Sequence, residues 1–120
     1  MTQPTVLIVE DNQSLRQSLI MVLEMEGIKT LAAEDGHEAV TVLRQHSPAV
    51  VLLDMQLPSN VSGLDLLAAI RRTPRLATTR VVLHTAEQHA STLPEAEAAD
   101  LVILKPADID DLLTMIRRLF

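Results

Sequence analysis

Cysteine, tryptophan and tyrosine are absent from this sequence, and Phe120 is its one aromatic residue. Without cysteine there are no disulfides, no thiolate metal sites and no cysteine nucleophile, which fits a reducing compartment. Without rings there is no platform on which single-stranded bases could stack. Positive charge is short as well: ten lysines and arginines face sixteen acidic residues, a net charge of −6. That balance repels a phosphate backbone, so direct nucleic-acid binding is not expected. Apolar runs stop at about five residues where a spanning helix needs ~20. The start, MTQPTVLIVED, lacks the basic beginning and long apolar segment of an export signal. A soluble, unexported chain without membrane contact, working in the cytoplasm, is the expectation. With 48% hydrophobic residues in a chain of 120, one core and one domain spanning 1–120 are expected.

What is present is a regular alternation. Short β-branched runs recur at Thr5 to Val9 (TVLIV), Ile28 to Ala32 (IKTLA), Ala49 to Leu53 (AVVLL), Arg80 to His84 (RVVLH) and Leu101 to Leu104 (LVIL). All but the second are apolar on both faces, as in parallel sheets covered by helices front and back. Between them, Leu15, Leu19, Val22 and Leu23 mark a helical stripe that Gly27 should stop. Met21 and Met25 of that segment read as core or helix-edge packing. A second helix is predicted over Gly36 to Gln45. A third begins at Ser62 and Asp65, which are spaced like a capping box, and a last one begins at Asp108. The segment EQHASTLPEAEAA carries Pro94 where a fourth helix should have its interior, so that helix is expected to be short or irregular. The pattern is α/β, and right-handed crossovers give a doubly wound five-stranded parallel sheet.

Ligands of such sheets bind beyond the carboxyl ends of the strands. Those ends carry Glu10-Asp11, Asp54, Thr85 and Lys105, one of only two lysines in the chain. Any one of them alone reads as a solvated loop residue; together they form a constellation. Carboxylates brought together there repel by about 4 kcal/mol per pair at ~4 Å and an effective dielectric of ~20, so a cation is required. Mg²⁺ accepts one or two carboxylates, keeps waters and shares a phosphate oxygen. Lys105 adds a point charge suited to a phosphoryl oxygen, and Thr85 a hydroxyl donor. The set suits phosphoryl transfer, which needs positioning and charge neutralisation, with Asp54 as the nucleophile that becomes an acyl phosphate.

The segments VLIVEDN, VVLLDMQLPSNVSG, VVLHTA and ADLVILKP, in this order and over essentially the whole chain, resemble the receiver domains of two-component response regulators, including the chemotaxis type. The resemblance implies a (βα)5 flavodoxin-like fold with strand order 2-1-3-4-5. It implies a phosphoacceptor signalling domain, not an enzyme, in which Asp54 accepts the phosphoryl group of a phosphohistidine on a sensor histidine kinase or phosphotransfer protein. Glu10, Asp11, Asp54 and the backbone carbonyl of Gln56 would hold Mg²⁺. Thr85 and Lys105 would bind the phosphoryl oxygens, and Lys105-Pro106 would be a cis peptide. Phosphorylation would then switch the binding of a downstream effector protein or domain.

Two departures from the family pattern, at Val102 and in a slightly short separation between Thr85 and Lys105, touch the family's usual output face. Val102 stands where the family carries a rotating aromatic, so the expected relay is a backbone shift across residues 85 to 98. The loop Ser59 to Ser62 is about one residue longer than the commonest form. Gln56 and Glu87 occupy positions flanking the phosphoryl group. His37, His46, His84 and His89 have no metal-ligand spacing and read as surface or strand-end residues. Arg71, Arg72 and Arg75 read as a solvated helix end, and Asp100 as a loop residue. Two further readings compete: a pseudo-receiver that binds partners without being phosphorylated, and a Mg²⁺-dependent phosphatase of the haloacid dehalogenase type. The latter usually carries Asp-x-Asp after its first strand, where this chain has Glu10-Asp11.

Overall fold

A computed structural model describes residues 5–120. The N-terminal reading as it concerns residues 1–4 lies outside them. Five strands, β1 (Thr5–Val9), β2 (Lys29–Ala33), β3 (Val50–Leu53), β4 (Arg80–Thr85) and β5 (Leu101–Leu104), form one parallel sheet in the order β2-β1-β3-β4-β5. The helices are α1 (Gln13–Met25), α2 (Gly36–Gln45), α3 (Gly63–Arg71) and α4 (Ile109–Arg117). The period of two sorts the strand side chains into two layers. Leu7, Val9, Val51, Leu53, Val81 and Leu83 pack with Leu43 of α2 and Leu66, Leu67 and Ile70 of α3. Val6, Ile8, Val50, Leu52 and Val82 pack with Leu19 and Leu23 of α1 and with Leu112 and Ile116 of α4.

The helix ends follow their local chemistry. Gly27 (φ +78°) ends α1 in a Schellman turn, its amide donating to Glu24 O and the Ile28 amide to Leu23 O, both at 3.1 Å. That turn consumes Ile28, which is why β2 starts one residue later than the apolar run. Ser62 and Asp65 close a reciprocal capping box on α3. Asp108 caps α4 by accepting from the amides of Asp110 and Asp111. The Lys105 amide donates to Thr85 O at 2.8 Å, which carries β4 through Thr85, one residue past its expected end.

The fourth connection contains no α-helix. Two short 3₁₀ turns, Ala90–Thr92 and Pro94–Ala98, take its place, as the missing amide of Pro94 foretold. Three other readings change. Met21 and Met25 lie on the solvent side of α1, 59% and 79% exposed, since Leu19 and Leu23 fill the buried stripe. Arg71 is an internal brace: its guanidinium donates to Ala98 O, Thr79 O and Asp100 Oδ2, the last two at 2.8 Å. Asp100 also receives Arg80 and the Val81 amide, so it ties the entry of β5 to α3 and β4. Arg75 bonds to the carbonyl of Leu43 in the last turn of α2 and, just past that helix, to His46 O and Ser47 Oγ.

Candidate functional site

The carboxyl ends of β1, β3 and β5 meet in one acidic hollow. Asp54 and Glu10 are buried, 8% and 3% exposed, while Asp11 is open to solvent. Each of the three offers a carboxylate oxygen within 4.8 Å of the others. The Lys105 ammonium reaches in from β5 and donates to Glu10 Oε1 at 2.6 Å and to Asp54 Oδ2 at 2.9 Å. The second oxygens of Asp54 and Glu10 are also occupied: the Gln56 amide donates to Asp54 Oδ1 and the Asn12 amide to Glu10 Oε2. Lys105-Pro106 is cis.

One ammonium among three carboxylates leaves the hollow negative. Burial raises the Glu10 carboxyl above its ordinary pKa, against the lowering effect of the Lys105 ammonium and the Asn12 amide, and the charge of Asp54 adds to the rise. Burial pulls Lys105 down, but its bonds to Glu10 and Asp54 outweigh that and hold the ammonium above its usual value. The rise at Lys105 shows that the hollow, through its carboxylates, stabilises a positive charge placed among them. Its donor set, carboxylate oxygens without nitrogen or sulfur, suits a hard divalent cation such as Mg²⁺.

Thr85 ends β4 fully buried, and its Oγ1 accepts from the Glu87 amide at 3.2 Å. Gln56 is exposed two residues past Asp54. Thus Glu10, Asp11, Asp54 and Lys105 come together, with Gln56 just past β3 and Thr85 at the end of the neighbouring β4. Val102 packs half-buried against the layer under α2 and α3, with no ring beside it.

Three residues around the hollow carried no functional reading in the sequence. Gly63 opens α3 directly on the end of β3: a Cβ there would lie 2.1 Å from Asp54 O and 2.6 Å from Met55 Cα, so only glycine fits. His84 is a buried strand-end residue, 3% exposed, one position past the Leu53–Leu83 pair that closes the register of β3 and β4. Its Nε2 has no hydrogen-bond partner among the described residues. Arg16 reaches back from α1 to the Glu10 carbonyl. The alternation of RVVLH placed His84 on a buried face, which was a usable signal. The bonds of Arg16 and the contact of Gly63 had none, because they depend on where a neighbouring backbone runs.

Comparisons with known proteins agree with this architecture. A family model described as the response regulator receiver domain matches residues 6–117. The chain is 32% identical over 114 residues to the DNA-binding response regulator MtrA of Mycobacterium tuberculosis, covering 93% of this chain and 48% of that protein. It is 31% identical over 114 residues to the CAI-1 autoinducer sensor kinase/phosphatase CqsS of Vibrio cholerae, covering 92% of this chain and 16% of that protein. The chain therefore spans about half or less of these relatives. The crystal structure of the response regulator TrrA of Thermotoga maritima, in complex with Mg²⁺–BeF, superimposes with a TM-score of 0.89 at 28% identity, covering 98% and 100% of the two chains.

Proposed function

Given that the chain belongs to the response regulator receiver domain family, and so to the phosphoacceptor modules of two-component signalling, we propose that Asp54 is its phosphorylated residue. The observation that carries this assignment is the bridging of Asp54 and Glu10 by Lys105, with Asp11 within reach of both. Asp54 Oδ would attack the phosphorus of a phosphohistidine; an O–P bond forms, the P–N bond breaks, and its electron pair stays on the donor imidazole. Glu10, Asp11, Asp54 and the carbonyl of Gln56 would hold Mg²⁺, which neutralises the charge on the transferring group. Lys105 would move from the carboxylates to a phosphoryl oxygen. The Thr85 hydroxyl, already accepting from the Glu87 amide, keeps its proton free to donate to another.

The whole chain, 1–120, is read as this one domain, with a histidine kinase or phosphotransfer protein upstream and an effector protein or domain downstream. Among the described residues no helix is long and apolar enough to cross a membrane, and the reading places the domain in the cytoplasm. The test is the intact mass of the protein after incubation with Mg²⁺ and a small phosphodonor. A single phosphoryl adduct that disappears in Asp54→Asn is expected. Failure of the wild-type protein to take an adduct from any donor would favour a binding module that is not phosphorylated, and turnover of assorted phosphomonoesters a phosphatase.

A further inference from the structure

We propose that Arg16 is the positioning residue that holds Asp11, and with it the open side of the cation site, in place. The inference rests on the phosphoacceptor reading, which gives the hollow its need for a cation. The three carboxylates are secured very unequally. Glu10 is held by its amide on Ala33 O at 3.0 Å and by side-chain bonds from Lys105 and Asn12. Asp54 is held by its amide on Val9 O at 3.1 Å and by bonds from Lys105 and Gln56.

Asp11 has none of this. It is exposed, and its carboxylate makes no hydrogen bond or ion pair among the described residues. Yet one of its oxygens lies within 4.8 Å of those of Glu10 and Asp54, so its direction is set by its rotamer and its backbone, with no side-chain bond to fix it. The contact on that backbone comes from Arg16: one guanidinium nitrogen donates to Glu10 O at 2.8 Å and to Asp11 O at 3.5 Å. The nitrogen is carried by a rigid element. Asn12 caps α1 by accepting from the Leu15 amide at 3.0 Å, and Leu19 and Leu23 anchor the helix in the core. Arg16 therefore ties the turn between β1 and α1 to the buried frame, as outer-shell partners orient metal ligands.

A guanidinium beside a cation site also acts by charge, and the two roles predict opposite signs. Removing a nearby positive charge tightens cation binding, whereas releasing the Asp11 backbone weakens it. Mg²⁺ affinity measured by amide chemical-shift titration of the full chain, which has no tryptophan or tyrosine for fluorescence, separates the roles. Arg16→Gln is expected to raise the Mg²⁺ Kd roughly tenfold. Arg16→Lys, which keeps the charge and one donor, is expected to fall between Gln and wild type. A Kd for Arg16→Gln at or below that of the wild type overturns the proposal. If Arg16→Gln does not fold, a wild-type Kd in Arg16→Lys overturns it equally. Wild-type protein that neither binds Mg²⁺ nor takes a phosphoryl adduct overturns the phosphoacceptor reading, and this proposal with it. Normal phosphorylation of the wild type with unchanged affinity in both variants overturns this proposal alone.

Discussion

The imidazole of His84 sits in the sheet face under α1 and α4, level with Ile103 on β5, where its neighbours in the layer are aliphatic. Burial first, and the charge of Lys105 second, lower its pKa to about 4, with Asp54 partly offsetting both. The fold thus prefers the neutral ring, while the unfolded chain takes up a proton below about pH 6.5. Stability from this residue is fully present above pH 6.5 and is lost as the pH falls toward 4. At about 1.4 kcal/mol per pKa unit the loss is roughly 3 kcal/mol. Urea unfolding at pH 7.5, 5.5 and 4.5 should show this slope in the wild type and a clearly smaller one in His84→Val. Equal slopes would mean that other groups govern acid sensitivity. The same variant replaces a buried unpartnered nitrogen with a methyl, so at pH 7.5 it should cost little despite the lost volume.

At the level of elements, the junction of β3 and α3 depends on the approach of Gly63 to the Asp54 backbone. In Gly63→Ala the new methyl meets a carbonyl oxygen and a Cα, neither of which can swing aside. Destabilisation of about 1–3 kcal/mol is expected, with slower phosphorylation because Asp54 must shift. Denaturation midpoints and adduct formation rates measure the two effects; a variant with wild-type stability and rate would contradict the contact. The entry to β5 depends on Asp100, which takes bonds from Arg71, Arg80 and the Val81 amide. Asp100→Ala should cost about 2 kcal/mol, with faster amide exchange in residues 98–102. Unchanged exchange there would show the brace to be dispensable. These two junctions mark the limit of what was legible in the sequence. The strands, the Schellman glycine, the capping box and the strand-end residues follow from local pattern, because each depends on neighbours within about four positions. Arg71 and Asp100 are 29 positions apart. Nothing in the run Arg71-Arg72 distinguishes the arginine that turns inward from the one that stays in water; that choice belongs to tertiary packing. Asp54, Glu10 and Lys105 were legible in spite of longer separations, because the parallel order puts the ends of all strands on one edge.

For the whole molecule, a ligand that binds only the folded state must stabilise it. Mg²⁺ at about ten times its Kd should raise the unfolding free energy by roughly 1.4 kcal/mol, or about 5–6 °C in melting temperature for a domain of this size. A chelator should reverse the rise, and Asp11→Asn should remove most of it. The fourth connection is the route by which the charge state of the hollow is expected to reach the surface. Val102 provides no ring to rotate, but Thr85 is bonded through its hydroxyl to the Glu87 amide, so a pull on Thr85 is transmitted into the residues that follow. Those residues yield easily: two 3₁₀ turns replace a helix, only Ala90 and Ala96 among them are buried, and Ser91, Thr92, Glu95 and Glu97 face water. The braces at Ala98 and Asp100 fix the far end of the segment, which confines movement to what lies between. Addition of Mg²⁺ and a phosphoryl mimic should therefore change hydrogen exchange across residues 85–98 while the exchange of Leu7 and Leu52 in the sheet centre stays as it was. Protection that is unaltered in 85–98, under conditions where the mimic is bound, would rule this route out and direct attention to α1 and α4 on the opposite face.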